Sequence, residues 1–505
     1  TLTNAAASSN VEGGTSTATA DIAKSGTGGT GIQGLTADAT RFAASTAGVD
    51  VSSDGTLTGL ASISNSASAE STASSADAKA TASTVDGAEL ETVEIGGVGS
   101  IIGQTTFAGS ADATNVGVAG ETSDGLATLV DADGLEATSA IGIKSDGDLT
   151  GLNTVDLASS AASTSGSKAT AASDAGTLQG AELGSETTIG GVGTIGGQVD
   201  FGGSAAATNV SGDAQATGEL SLEAQGLSTT SATSGTFGTD VSSDATVQGF
   251  ANLNTSADAS TTAGEADADA KGASIDGAQL GDLSIGGVGT VTGSANFAAA
   301  ANAANVTGGF LNAANANAEV TSVDGLDSLA GDGIDVSSDA GIQGLASIDL
   351  ASAAESTGGA IPTKATATST AGTLQGAELD SLTDIGGVGS VAGSTDLSSS
   401  AAASNVTGGA VATGKLTRAE GLDLDATLNI ASDASISGIA GINSSADAAT
   451  TAGMADADAK STTITGADLS GGIVDIGGIG SIAGQANFGL SATSSNVSQK
   501  SEADA

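Results

Sequence analysis

A five-residue cluster, IGGVG or IGGIG, begins at Ile95, Ile189, Ile285, Ile385 and Ile476, so one glycine-rich element returns about every 95 residues. Fixed-period self-similarity marks stacked repeats, in which each unit buries against its neighbour an apolar face it could not bury alone. A second marker, Asn-Val, begins at Asn10, Asn115, Asn209, Asn305, Asn405 and Asn496. It divides the chain into the end of a partial repeat (1–11), five repeats (12–116, 117–210, 211–306, 307–406 and 407–497) and a tail (498–505). Each repeat holds two similar halves: GTLTGLASISNSASAEST from Gly55 matches GSIIGQTTFAGSADATNV from Gly99.

Within these halves the residues alternate. Leu57, Gly59, Ala61, Ile63, Ala67 and Ala69 share one parity, and Thr58, Ser62, Ser64, Ser66, Ser68 and Glu70 share the other. Val291, Gly293, Ala295, Phe297, Ala299, Ala301 and Ala303 repeat the pattern. A period of two puts one set on the buried face of a β-strand and the other in water, which no helix can do. The expected class is all-β, a repeat β-solenoid resembling a parallel β-helix with a small-residue core. Stacked antiparallel long hairpins are the runner-up.

The half-repeat of about 47 residues fits one wide coil or two narrow coils of about 23. Two narrow coils are the preferred expectation, giving about twenty coils and a rod near 100 Å, against about 50 Å for ten wide coils. One lysine per repeat (Lys79, Lys168, Lys271, Lys364, Lys460) would need intervening carboxylates if these positions stacked. Repeats one, three and five share DAK, whereas two and four share LQGAEL, so an alternating order overlies the simple one.

Composition restricts function. The 505 residues include 78 Gly, 1 Pro, 8 Phe and no Cys, His, Trp or Tyr. Little large apolar surface is available, so stability is expected from ladders of backbone hydrogen bonds, each worth about 1 kcal/mol net. Disorder is the competing reading of so much Gly and Ser, but it needs no ordered alternation. The net charge of −47 repels nucleic acid and anionic membranes. No apolar run approaches the ~20 residues of a membrane helix, and the aromatic girdles of a membrane barrel are missing. Without His or Cys, and with acids that recur by repeat, no catalytic constellation is visible and no enzyme is expected.

Three sets of residues stand out. Gly387-Val388-Gly389-Ser390-Val391-Ala392 satisfies a relaxed dinucleotide fingerprint, but the Gly- and Ser-rich residues after it do not form the helix that motif requires. The paired glycines (Gly96, Gly97, Gly190, Gly191, Gly286, Gly287, Gly386, Gly387, Gly477, Gly478) instead read as corners with positive φ and close approach to the next coil. The asparagines Asn10, Asn115, Asn209, Asn305, Asn405 and Asn496 have inner-face parity and are expected to form a stacked structural ladder. Glycosylation is the alternative, since Asn209, Asn305, Asn405 and Asn496 open sequons. Asp54, Asp146, Asp244, Asp339 and Asp433, in a recurring Ser-Asp-[Gly/Ala], are expected in local turns. They are also the candidate metal ligands, with Ca²⁺ as the hard cation that oxygen donors would select and no other cofactor expected.

The reading that follows is a structural extracellular or cell-surface protein whose partner is itself, joined head to tail as a filament, sheath or surface layer. The opening residues 1–11 match the closing part of a repeat, no leader precedes them, and no cap-like segment follows the last repeat, which predicts a processed chain that polymerises. The alternative is an adhesin stalk or a solenoid that binds ice, carbohydrate or a Ca²⁺-dependent ligand.

Overall fold

In a computed structural model, residues 2–10, 15–22, 32–37, 49–72, 74–116, 120–229, 238–306, 313–329, 333–357, 363–497 and 501–505 are described. They form three parallel sheets and no helix. One coil consists of a long front strand (Gly55–Ser71), a long back strand (Ala76–Leu90) and a three-residue edge strand (Val93–Ile95). A three-residue corner then leads into the next front strand, Gly99–Asn115. Gly55, Gly99, Gly147 and Gly193 are register partners, so successive coils take 44, 48 and 46 residues.

The fold is therefore the parallel solenoid, and the antiparallel-hairpin alternative does not occur among the described strands. Each half-repeat is one wide coil, which corrects the expectation of two narrow ones. A coil of about 23 residues would need a turn inside every front strand, yet Gly147–Ser163 and its equivalents pair over all 17 residues without a register break. The front sheet holds eleven strands, the back sheet twelve and the edge sheet ten. At about 4.8 Å per strand, the front sheet is about 48 Å tall.

The interior is split in two. Alanines of the front and back strands, with Ile63, Phe107, Val155, Phe201, Leu253 and Phe297, fill a wide core. Ile, Leu and Val from the edge strands and adjoining strand ends fill a narrow one. Between them the front and back sheets touch backbone to backbone along two columns of glycine. A Cβ added to Gly151 would lie 2.0 Å from the Gly180 carbonyl oxygen, and one added to Gly180 would lie 2.3 Å from the Gln198 backbone nitrogen. The same meeting recurs from Gly59 to Gly438, so only glycine fits this waist.

Candidate functional site

Three axial columns carry the polar chemistry of the solenoid. The first runs along the corners after the edge strands. Ser52-Ser53-Asp54 and Gly96-Gly97-Val98 occupy the same corner in adjacent coils, so the two recurrent motifs are alternating versions of one turn. Asp54 Oδ1 accepts the Val98 backbone N–H at 2.8 Å. Asp146 does the same for Val192 (2.9 Å), Asp244 for Val288 (2.8 Å), Asp339 for Val388 (2.7 Å) and Asp433 for Ile479 (2.8 Å).

The bond joins two coils, where a turn within one coil was expected. It also explains the second glycine. A Cβ on Gly97 would sit 2.1 Å from Asp54 Oδ1, and one on Gly191, Gly287 or Gly387 would sit 2.2 Å from the matching carboxylate. For Gly478 the distance is 2.4 Å. The first glycines, Gly96, Gly190, Gly286, Gly386 and Gly477, lie under the backbone carbonyl of the preceding corner. Positive φ, the other expectation, is not what these glycines supply: among the described residues it occurs only at Gly120 and Gly333. Close approach alone selects them. Among the described residues no group of three or more acidic, His or Cys side chains is arranged to hold a metal ion.

The second column is the asparagine ladder, and its order differs from the expected one. Ser71 pairs with Asn115, Asn115 with Ser163, Ser163 with Asn209 and Asn209 with Thr261, so each asparagine is separated from the next by a hydroxyl residue. The asparagines bond to turns, not to each other. Asn405 is the fullest case: its Nδ2 donates to the Thr363 and Gly409 carbonyls (3.0 and 3.1 Å), and its Oδ1 accepts the Thr407 and Gly408 N–H groups (3.1 and 3.0 Å). Asn209 repeats this with Asp213, Ser211 and Gly212, and Asn305 donates to Gly264. Asn115 donates to Thr122 at 3.4 Å, Asn496 to Gly453, and Asn10 pairs with Ser71 in register. The amides of Asn115, Asn209, Asn305 and Asn405 are buried, so a glycan on them is incompatible with this packing.

The third column carries carboxylates and had not been singled out. As the back strand crosses the waist, Asp86, Asp133, Gln179, Gln225, Asp276, Asp324, Gln375 and Glu420 follow one another in register, each directly before a waist glycine. The glycine faces the front sheet, so the preceding side chain faces outward, into a trough where the back sheet dips. Glu89, Glu136 and Glu182 form a parallel row beside it, continued by Asp327, Glu378 and Asp423.

Like charges about 4.8 Å apart in a partly desolvated trough favour the neutral carboxyl. Burial, reinforced by Glu89 and Glu182, pushes Glu136 up to about 7. Burial, with Asp380 and Asp327, pushes Glu378 up to about 8. Burial and its acidic neighbours also raise Asp133, Asp276 and Asp324. Asp276 lies against the carboxyls of Asp324 and Glu223, whose negative charge adds to the burial that favours its neutral form. Near the other end Arg418 enters the trough and pairs with Glu420 and Asp423. A partial sequence signal for the column exists in Asp-Gly, Gln-Gly or Glu-Gly between apolar residues, but Val247-Gln248-Gly249-Phe250 and Ile342-Gln343-Gly344-Leu345 of the front strands share it and the last back strand has Thr465-Gly466 instead.

The lysines do not form one stack. Lys79 lies beside Leu126, Lys168 between Thr122 and Asp213, Lys271 between Glu219 and Glu319, and Lys364 between Ala313 and Gly409. Lys460 is beside Lys415, and it pairs with Asp458 two residues back, as Lys271 pairs with Asp269 at 3.5 Å. The sequence matches no protein-family model and no curated protein, and the fold matches no solved structure.

Proposed function

We propose that the protein is a structural β-solenoid that joins head to tail into a filament, sheath or surface layer outside the cell. The observation that carries this reading is the unbroken stacking of coils in three parallel ladders, in which each coil covers the apolar face of the next. Phe107, Phe201 and Phe297 occupy one inner column with Phe488 and are 1%, 4% and 2% exposed, because a coil lies on each side of them.

A coil of the same geometry added to the stack buries the apolar face of its neighbour and extends all three ladders, and a second copy supplies one. Such a contact is heterologous and propagates. The acidic exterior supports solubility in salty surroundings, in keeping with an extracellular location. The test is electron microscopy and light scattering of the purified chain over a concentration series. Fibres are expected, with assembly strongly slowed by Phe488→Asp or by removal of residues 1–11. A chain that stays monomeric at every concentration and salt, or a truncated chain that assembles as readily as the whole, overturns the reading in favour of an adhesin stalk.

A further inference from the structure

The front sheet differs from the back sheet in its outward face. Its strands contain no Lys or Arg, and most outward positions are Ser, Thr, Ala, Asn or Gly. One outward column breaks the pattern. Leu60, Leu152, Phe250, Leu345 and Ile439 occupy it in alternate coils, with Leu60 and Ile439 58% and 42% exposed. The coils between them carry Gln or Ser at the same position. The result is a row of apolar knobs about 9.6 Å apart, separated by smaller or flexible polar side chains.

We propose that two copies of this chain pair face to face through their front sheets, with the stacking directions opposed. The two-fold axis runs along the strands, between Ala245–Thr261 and Gly289–Asn305. This operation keeps the position along the strand and reverses the order of coils, so the ridge meets the ridge of the second copy. Because the axis falls between adjacent coils, Phe250 faces Ser294, Leu152 faces Ser394 and Leu60 faces Gln485 of the second copy. Leu345 faces Gln198 and Ile439 faces Gln104 by the same operation. Every knob meets a gap, and the contact closes on itself as an isologous interface.

The pairing keeps most carboxylates apart, on faces that carry acidic but no basic residues. Asp200 comes opposite Ser347, Asp258 opposite Asn302 and Asp349 opposite Gly202; only Asp112 and Asp447 bring carboxylates together. The area suffices. Seventeen residues by ten coils outline a face of about 2,700 Å², against roughly 800 Å² per partner for a stable complex. The proposal is independent of head-to-tail joining, which uses the coil ends.

The absence of cysteine permits a direct test. Full-length Gln104→Cys and Ile439→Cys chains are mixed under mild oxidation. The opposed arrangement brings these positions together, although within one chain they lie about 34 Å apart. A disulfide-linked heterodimer is expected from the mixture, and neither variant alone should link. Sedimentation of the unmodified chain should show a dimer that Phe250→Asp weakens tenfold or more, while Val130→Asp on the back sheet leaves it unchanged, with both variants checked for folding by circular dichroism. Cross-linking no stronger in the mixture than in single variants, or a dimer insensitive to Phe250→Asp in folded protein, overturns the proposal.

Discussion

The two long sheets cover the same core with similar residues, yet they obey different rules. A front strand keeps one parity from end to end: in Gly289–Asn305 the inner residues run Val291, Ala295, Phe297, Ala299, Ala301 and Ala303 to Asn305. A back strand does not. In Lys168–Leu183 the buried residues are Ala169, Ala171 and Ala175, then Leu178, then Ala181 and Leu183, so parity slips twice around the waist glycine Gly180. The front sheet faces water mainly with small neutral side chains, interspersed with carboxylates such as Asp112, Asp200 and Asp349. The back sheet carries the lysines and the acidic trough. The difference shows that a dip in one sheet both divides the core and gathers carboxylates on the surface behind it.

The sharpest way to break this comparison is at the waist, where two neighbouring glycines separate the two faces of one strand. A Cβ on Gly197 would lie 1.9 Å from the Gly226 carbonyl oxygen, whereas one on Gly196 meets nothing within 4 Å. Gly197→Ala is therefore expected to cost about 3 kcal/mol or more, as overpacking against rigid backbone does. Gly196→Ala should be neutral, or stabilising by about 0.5 kcal/mol through the unfolded chain. Denaturant melts of the two variants check this, and equal effects would mean that the sheets do not touch there.

Next in size is the asparagine ladder at the end of the front strands. Asn405→Ala removes the amide that accepts the Thr407 and Gly408 N–H groups of the following turn and donates to the Thr363 and Gly409 carbonyls, for an expected loss of about 2 to 3 kcal/mol. Asn305→Ala should lower the melting temperature in unglycosylated protein as well. Ser398→Ala, on the outward face of the same strand as Asn405, serves as the reference and should change little. Thermal unfolding gives the comparison directly.

The back sheet alone should make stability depend on pH through its trough. Glu136 and Glu378 titrate near 7 and 8 in the folded chain, above their ordinary value of 4.5, so the folded state holds protons that the unfolded state has released. Stability from these groups is complete below about pH 4.5 and is lost as pH rises to about 8. The melting temperature should fall across that window. Asp324→Asn with Glu378→Gln should flatten the slope and recover on the order of 2 kcal/mol at pH 8, allowing for partial solvent screening. A slope unchanged in the double variant would place the pH dependence elsewhere.

These effects also mark what a reader of the sequence could see. Alternation such as Leu57 to Ala69 revealed the solenoid because the front strand never slips. The coil width was hidden because the edge strands are only three residues long and, in Val93–Ile95, offer one outward residue between two buried ones. The trough was hidden because the parity slips scatter its carboxylates between inner and outer patterns. The Asn-Val marker was legible, but its true spacing was not: Ser71, Ser163, Thr261, Ser356 and Thr450 fill the intervening coils, and a hydroxyl residue among many others gives no signal.

The smallest expected effect lies at the corners that lead into the front strands. Asp339 Oδ1 accepts the Val388 N–H, and a Cβ on Gly387 would lie 2.2 Å from the same oxygen. Because the Val388 N–H is close to solvent, water can replace the carboxylate, and Asp339→Ala should cost only about 1 kcal/mol. Gly387→Ala should cost more, since its Cβ also comes within 2.8 Å of the Asp339 backbone nitrogen. The double variant tells the two terms apart. Removing the carboxylate frees the space that the new methyl needs, so Asp339→Ala with Gly387→Ala should lose less than the sum of the single variants, by roughly 0.5 kcal/mol or more. Strict additivity in denaturant melts would mean that the aspartate and the glycine of adjacent coils do not share this corner. The same cycle at Asp244 and Gly287, one repeat earlier, should return the same sign.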